Sequence, residues 1–344
     1  MTSLLEARHL TKEFSTGSFL KKKKMVALEN LGMMILAEKP TIIAVAGESG
    51  SGKTTLARLL LGIIRPSAGE ILYQGKPLTS MSGAEWKTFR REVQAIFQDP
   101  FEVYNPFYKV DHVLTTPVAK FHLASSRTHA RELIENAVRA VGLRPAETLG
   151  RYPHQLSGGQ RQRVMIARAL VLQPRIILAD EPVSMVDASL RATILESLLK
   201  LKQERGISLL YITHDLTTAY QLSEKIIILY QGRVVEVGDV ELVIKQSKHP
   251  YTQLLVNSIP LPDPRSRWGG KPITQTTEEL ASRIVTGCQF ANRCPAMMPR
   301  CRESEPPLFQ VNPNRGAACW LYEQAPTTES AKMLDALPSP SPAN

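Results

Sequence analysis

Short apolar runs alternate along this chain with longer stretches in which apolar residues recur every three or four positions. The runs at 41–46 (TIIAVA), 94–97 (QAIF), 175–179 (RIILA), 208–213 (SLLYIT), 226–230 (IIILY) and 233–237 (RVVEV) have the length of strands. Between them, 128–141 and 188–205 place Arg, Lys and Glu opposite an apolar stripe, which predicts amphipathic helices. A further strand-like stretch covers 25–37. Such alternation predicts an α/β architecture, with helices packed around a largely parallel sheet. After about residue 256 the periodicity fades, proline rises (IPLPDP, 259–264) and all four cysteines appear. The stretch from 325 onward, APTTESAKMLDALPSPSPAN, reads as a disordered tail.

The run 41–46 leads straight into GESGSGKTT, residues 47–55. Gly47-x-x-x-x-Gly52-Lys53-Thr54 fits the phosphate-loop pattern. Glycines let successive backbone N–H groups converge on phosphate oxygens without a Cβ in the way, and the helical TTLARLLLGII after them offers its positive end. The candidate binding segment is therefore Gly47, Glu48, Ser49, Gly50, Ser51, Gly52, Lys53, Thr54 and Thr55. Lys53 would reach the β- and γ-phosphates and the Thr54 hydroxyl would meet Mg²⁺. A glycine-rich turn of purely structural use is the duller alternative. The strand before and the helix after favour the nucleotide site, and the motif occurs once.

RIILADEP (175–182) is an apolar strand ending in Asp180-Glu181. In a phosphate-loop fold such an aspartate partners Mg²⁺, and the adjacent carboxylate can polarise a water for attack on the γ-phosphate. Two acids that merely solvate a strand end are the plain alternative. His214, in YITHD (211–215), also lies just past a strand, where the open ends of parallel strands gather ligands. Position alone leaves a catalytic and a structural role for it equally open.

Composition narrows the class. The 344 residues suffice for one large domain or a domain with an extension, and 43% hydrophobic with 22% charged residues is ordinary globular usage. No apolar run approaches the roughly 20 residues of a membrane helix, and MTSLLEARHLTKEF lacks the apolar core of a signal peptide, so the expectation is a cytosolic protein. A formal charge of +10 suits an anionic ligand, nucleic acid or the inner lipid leaflet, or reflects scattered surface lysines. KKKK at 21–24 reads first as a solvated loop, with a brush against anionic lipid as the alternative.

LSGGQ (156–160), with RQRVMIARAL after it, resembles the signature segment of ATP-binding cassette ATPases. The resemblance spans about residues 5–240 and orders the other pieces: FQD (97–99) as the Q-loop with Gln98, SMVD (184–187) as the D-loop with Asp187, and His214 as the switch histidine. It implies a phosphate-loop fold with a mainly parallel core, an antiparallel β subdomain and a helical signature subdomain. It also implies that two cassettes pack head to tail. Ser157, Gly158, Gly159 and Gln160 of each would then close on ATP held by the other's phosphate loop. Phe14, in LTKEF, lies where the family stacks an aromatic on adenine; a core phenylalanine is the alternative. By the same resemblance Lys53, Thr54, Gln98, Asp180 and Mg²⁺ hold the triphosphate, Glu181 orients the water and His214 grips the γ-phosphate. SMVD departs from the usual SALD but keeps Asp187.

SKHPYTQLLVNSIPLPDP (247–264), FQDPFEVYNP (97–106) and YPHQLSGGQRQR (152–163) resemble the ATPases of oligopeptide, dipeptide and nickel importers. The resemblance implies a second ATPase subunit, identical or paralogous, two transmembrane permeases and an extracellular solute-binding protein. It also implies a place on the cytoplasmic side of the membrane and no nucleic-acid partner. Glu102-Val103 departs from the family's YASLNP. A soluble cassette ATPase of translation or DNA repair is the alternative; the single cassette without a long coiled-coil insertion speaks against it. The domain boundaries read as 1–255 for the ATPase, 256–325 for a small irregular extension and 326–344 for the tail.

Cys288, Cys294, Cys301 and Cys319 form the pattern C-x5-C-x6-C-x17-C, and Pro295 directly succeeds Cys294. A four-iron four-sulfur cluster, a zinc ion and unligated thiols are all open on this spacing. The importer resemblance implies the cluster, as a structural staple for an extension without a core of its own.

Overall fold

The computed structural model of the chain describes residues 2–16, 23–98, 104–184, 186–259 and 286–335. Two long strands, β1 (Ser3–Thr16) and β2 (Lys23–Leu36), precede the short β3 (Ile42–Ala46), whose five residues are all buried. β4 (Ala68–Tyr73) and β5 (Lys76–Pro77) join the first two in an antiparallel sheet ordered β2-β1-β4-β5. The remaining strands are β6 (Val93–Ile96), β7 (Ile176–Asp180), β8 (Ser208–Thr213), β9 (Lys225–Tyr230), β10 (Arg233–Asp239), β11 (Phe309–Asn312) and β12 (Arg315–Ala317). With β3 they form an eight-stranded sheet ordered β11-β12-β10-β9-β3-β8-β7-β6.

The centre of that sheet is parallel, β9-β3-β8-β7-β6, and its strands are near-continuous apolar runs because helices and the second sheet cover both faces. Register decides where the site lies. Ala46 stands opposite Thr213 and Ile228, Ala179 opposite Ile96 and Tyr211, and Asp180 opposite Ile212. The strand ends are thus flush, and Gly47, Glu181, His214 and Gln98 emerge along one edge.

A helical layer packs beside β6 and β7. Helix Gly158–Val171 contributes Val164, Ile166 and Leu170 to a core shared with Leu114 and Val118 of helix Asp111–Phe121 and Ile134 and Val138 of helix Arg127–Ala140. The sheet's Ile96, Ile177 and Ala179 belong to the same core, which fixes the layer against the sheet. Helices Arg127–Ala140 and Ala188–Arg205 lie where the apolar spacing predicts them. The long β1–β2 pair is broken by several register shifts, which is why strict alternation does not announce it. Of the sequence-based expectations, Asp99, the Glu102-Val103 departure, Met185 and Lys21-Lys22 lie outside the described residues, as do 260–285 and 336–344.

The C-terminal segment is more regular than its sequence suggests. β12 pairs with β10 (Val237↔Gly316, Gly238↔Arg315), so the extension continues the sheet of the ATPase core. The buried Glu236 carboxylate accepts the backbone N–H groups of Lys248 and His249 and faces Arg315, tying β10 to helix Pro250–Asn257 and to β12. Residues 326–335 also depart from the expected disorder. Thr327 bridges to Phe309, and helix Ser330–Asp335 docks on β2 through Ser330 Oγ donating to Gly32 O. Met333 and Leu334 are buried there, each contributing about 1.5–3 kcal/mol, enough to order one helical turn that a polar, proline-rich surrounding sequence hides.

The four cysteines require a correction. Among the described residues no group of three or more His, Cys, Asp or Glu side chains is placed to hold a metal ion, so neither a four-iron four-sulfur cluster nor zinc fits. All four are free thiols. Cys301 packs with Ala291, Phe309 and Trp320, while Cys288 and Cys294 lie against the cluster of Tyr230, Tyr251 and Phe290. Cys288, Cys294 and Cys301 serve here as small apolar fillers. Burial, with a smaller push from the neighbouring cysteines, moves the Cys288 and Cys294 thiols up and that of Cys319 up to about 11. Timed alkylation with iodoacetamide and mass spectrometry checks this. Cys319 should react far more slowly than free cysteine at pH 7.5, its rate rising about tenfold per pH unit toward its raised pKa. Modification of native Cys319 at the free-cysteine rate would contradict it.

Candidate nucleotide site

β3 ends at Ala46, and the next six residues wrap around the start of helix Lys53–Leu60. Two glycines make the wrap possible. A Cβ on Gly47 would stand 2.1 Å from Leu229 O, and one on Gly52, at φ 102°, would stand 2.4 Å from Ala27 O. Around Gly50 the space is open, and Ser49 and Gly50 are exposed at the rim, with Thr55 half-buried behind them. Ser51 Oγ is buried without a hydrogen-bond partner among the described residues.

Lys53 is the charge inside this wrap, at 6% exposure. Its ammonium donates to Gly47 O at 2.8 Å and Glu48 O at 2.9 Å. Burial pulls its pKa below the ordinary lysine range, while Glu181, Asp180 and Glu48 pull the other way. Asp180, at the end of β7, is buried and hydrogen-bonded to the Thr54 side chain; burial pushes its carboxyl up against that bond and against Lys53. A buried lysine, an orphan hydroxyl and a glycine-rich backbone cradle suit a polyphosphate. Thr54 beside Asp180 suits the divalent cation that accompanies one.

The next residue, Glu181, has a left-handed backbone (φ 47°), unusual for glutamate, and its N–H donates to Ile212 O at 2.9 Å. The turn brings its Oε1 within 2.9 Å of His214 Nδ1. A carboxylate only accepts, so Nδ1 carries the shared proton. His214 itself is more than half exposed. Gln98 is exposed two residues beyond β6, on the same sheet edge.

Other candidates lie apart. Ser157 caps helix Gly158–Val171, its Oγ accepting from Gln160 N at 3.2 Å while Gln160 Oε1 accepts from Ser157 N at 2.9 Å, a reciprocal cap. Gly158 is half-buried, and Gly159 is buried so closely that a Cβ would stand 2.7 Å from Leu190 Cδ1. Among the described residues no hydrogen bond or ion pair joins Ser157–Gln160 to Gly47–Thr55. Asp187 is exposed at the start of helix Ala188–Arg205. Phe14, half-buried on β1, has Lys12 Nζ 5.2 Å from its ring centroid.

Two residues at the loop escape any motif. Tyr251 Oη accepts from Glu48 N at 2.8 Å, and Arg293 grips the Glu48 carboxylate. Tyr251 lies within a stretch that marks the importer resemblance, and Arg293 directly precedes Cys294, but nothing local in sequence announces contacts with residue 48.

Residues 32–184 match the ABC transporter family, and residues 235–301 match the C-terminal region of oligopeptide/dipeptide transporters. A putative oligopeptide transport ATP-binding protein of Bacillus subtilis is 37% identical, over 96% of this chain and 98% of its own. The oligopeptide transport ATP-binding protein of Escherichia coli is 39% identical over 77% of this chain and 80% of its own. Among solved structures, a dimeric ATP-binding cassette in a post-hydrolysis state with ADP and phosphate superposes with a TM-score of 0.61 at 28% identity, covering 69% of this chain and 98% of that one. The chain belongs to the ATP-binding cassette family, among the ATP-binding proteins of the oligopeptide/dipeptide transporter type.

Proposed function

We propose that this chain converts ATP and water to ADP and phosphate and couples that step to the uptake of peptides or a related solute. The observation that carries the reading is the buried Lys53 ammonium held inside a backbone cradle beside Asp180 and Glu181. The two relatives are oligopeptide transport ATP-binding proteins, and the C-terminal match at 235–301 favours an importer over a soluble cassette of translation or DNA repair. Among the described residues no helix is long and apolar enough to cross a membrane. In this reading two transmembrane permeases supply the path, an extracellular binding protein supplies the solute, and the chain docks on the cytoplasmic side.

Each residue has a part. The loop Gly47–Thr55, through backbone N–H groups other than that of Glu48, which Tyr251 takes, and the Lys53 ammonium bind the β- and γ-phosphates, with Phe14 against adenine. Mg²⁺, held through Thr54 and Gln98 with Asp180 behind them, would neutralise charge on the phosphate oxygens. Glu181 orients the attacking water and accepts its proton. His214, held by Glu181 through Nδ1, has its other ring nitrogen available for the terminal phosphate. Ser157 and its two glycines, which among the described residues form no hydrogen bond or ion pair with the chain's own loop, fit a role on a second cassette's nucleotide, with Asp187 at the same interface. One dimer then encloses two composite sites.

Replacing Glu181 by Gln should leave ATP binding intact and lower kcat by about a hundredfold or more, because a general base is lost. Phosphate-release assays beside nucleotide titration check this; parental turnover would remove Glu181 from the role. Lys53→Ala should instead raise the Kd for Mg-ATP at least about tenfold, and an unchanged Kd would contradict the phosphate cradle.

The composite site has its own test. Ser157→Arg puts a bulky cation at the face meant to meet the second nucleotide. Equilibrium binding to the single chain should be unchanged while turnover is lost, and full turnover in the mutant would contradict the pairing.

A further inference from the structure

Glu48 is tied to parts of the chain far from it in sequence. Its carboxylate takes Arg293 Nη1 at 3.0 Å and Nη2 at 2.9 Å, a two-pronged guanidinium–carboxylate pair. Its backbone N–H donates to Tyr251 Oη at 2.8 Å. Its carbonyl, with that of Gly47, receives the Lys53 ammonium. One residue thus links the C-terminal extension to the cation of the phosphate loop.

The far side of this link is firmly seated. The Arg293 guanidinium lies 5.8 Å from the Tyr230 ring centroid and 5.6 Å from that of Phe290. Tyr230, Tyr251 and Phe290 pack against one another with centroids 4.5 to 5.5 Å apart, and Tyr251 and Phe290 are fully buried. Helix Pro250–Asn257 and the extension are anchored independently, through Glu236 and through the β10–β12 pairing. The Arg293 side chain is therefore not what holds the extension in place.

The geometry points to Arg293 and Tyr251 as positioning residues: through Glu48 they hold the two carbonyls that aim Lys53, so helix Pro250–Asn257 and the C-terminal extension together set the phosphate loop in its binding shape. This rests on reading Gly47–Thr55 as the phosphate cradle. The physical reason is preorganisation. A loop with three glycines in six residues samples many shapes, and each ATP molecule must offset the entropy of fixing one of them. Anchoring Glu48 from two sides removes that freedom before ATP arrives. The grip does not touch the reacting atoms, so it acts on the bound ground state and the transition state alike.

The test measures the Kd, KM and kcat for Mg-ATP of the purified full-length chain. Arg293→Ala should raise Kd and KM together, about five- to tenfold, with kcat within about twofold, the pattern of lost uniform binding. Arg293→Lys, which keeps the charge but loses the fork, should recover part of the affinity. Glu48→Gln combined with Arg293→Ala should be no worse than Arg293→Ala alone, because both remove one contact. Tyr251→Phe keeps the ring and should raise Kd by about threefold through the lost acceptor. Where Arg293→Ala fails to fold, the lysine and phenylalanine variants carry the test. Unchanged Kd and KM in Arg293→Lys and Tyr251→Phe, or Glu48 and Arg293 effects that simply add, would overturn the proposal. Parental Kd in Lys53→Ala would instead overturn the phosphate-cradle reading, which separates the two failures.

Discussion

A lysine ammonium buried inside a loop is the constraint around which this protein is arranged. Taking a cation out of water is costly unless it is paired and hydrogen-bonded. Lys53 meets that demand with the carbonyls of Gly47 and Glu48, and with the fields of Asp180 and Glu181. Those carbonyls face inward only because the loop bends as it does, and it bends only because glycine stands where Leu229 O and Ala27 O leave no room for a Cβ. The space around Gly50 is left open, with room for an anion that completes the neutralisation.

The sheet turns that loop into a site. Flush parallel strands deliver Gly47, Glu181, His214 and Gln98 to one edge, and the left-handed turn at Glu181 sets its carboxylate against His214. The helical layer is fixed to the same sheet through a shared core, yet among the described residues no hydrogen bond or ion pair joins its Ser157–Gln160 to the loop of its own chain. The proposed composite site is our reading of that separation, and a cassette of known structure similar to this chain is dimeric.

The nucleotide site was legible in sequence because its information is local. Gly47–Thr54 is a contiguous pattern, Asp180-Glu181 ends an apolar strand, and Ser157–Gln160 opens a helix with its own cap. The parallel strands were legible as apolar runs, placed to within a residue or so of their observed bounds. What depends on long-range contact was not. Arg293 meets Glu48 across 245 positions, and β12 joins β10 through a hairpin that carries little periodicity. The cysteine spacing suggested a metal site that the fold does not supply: among the described residues no group of three or more His, Cys, Asp or Glu side chains is placed to hold an ion, and Cys288, Cys294 and Cys301 pack among apolar side chains around Phe290, Phe309 and Trp320. The short helix at Ser330–Asp335 escaped because two buried side chains, Met333 and Leu334, decide it against a polar background.

The most direct test of the central claim, that ATP phosphates seat on the Lys53 loop and that the loop's shape is shared with the C-terminal extension, is amide hydrogen exchange with and without Mg-ATP. The account predicts that ATP slows exchange across residues 47–55 and, in the same titration, across 290–294, where Arg293 holds Glu48. Exchange at 47–55 that ATP leaves unchanged, while protection appears elsewhere in the chain, would contradict it.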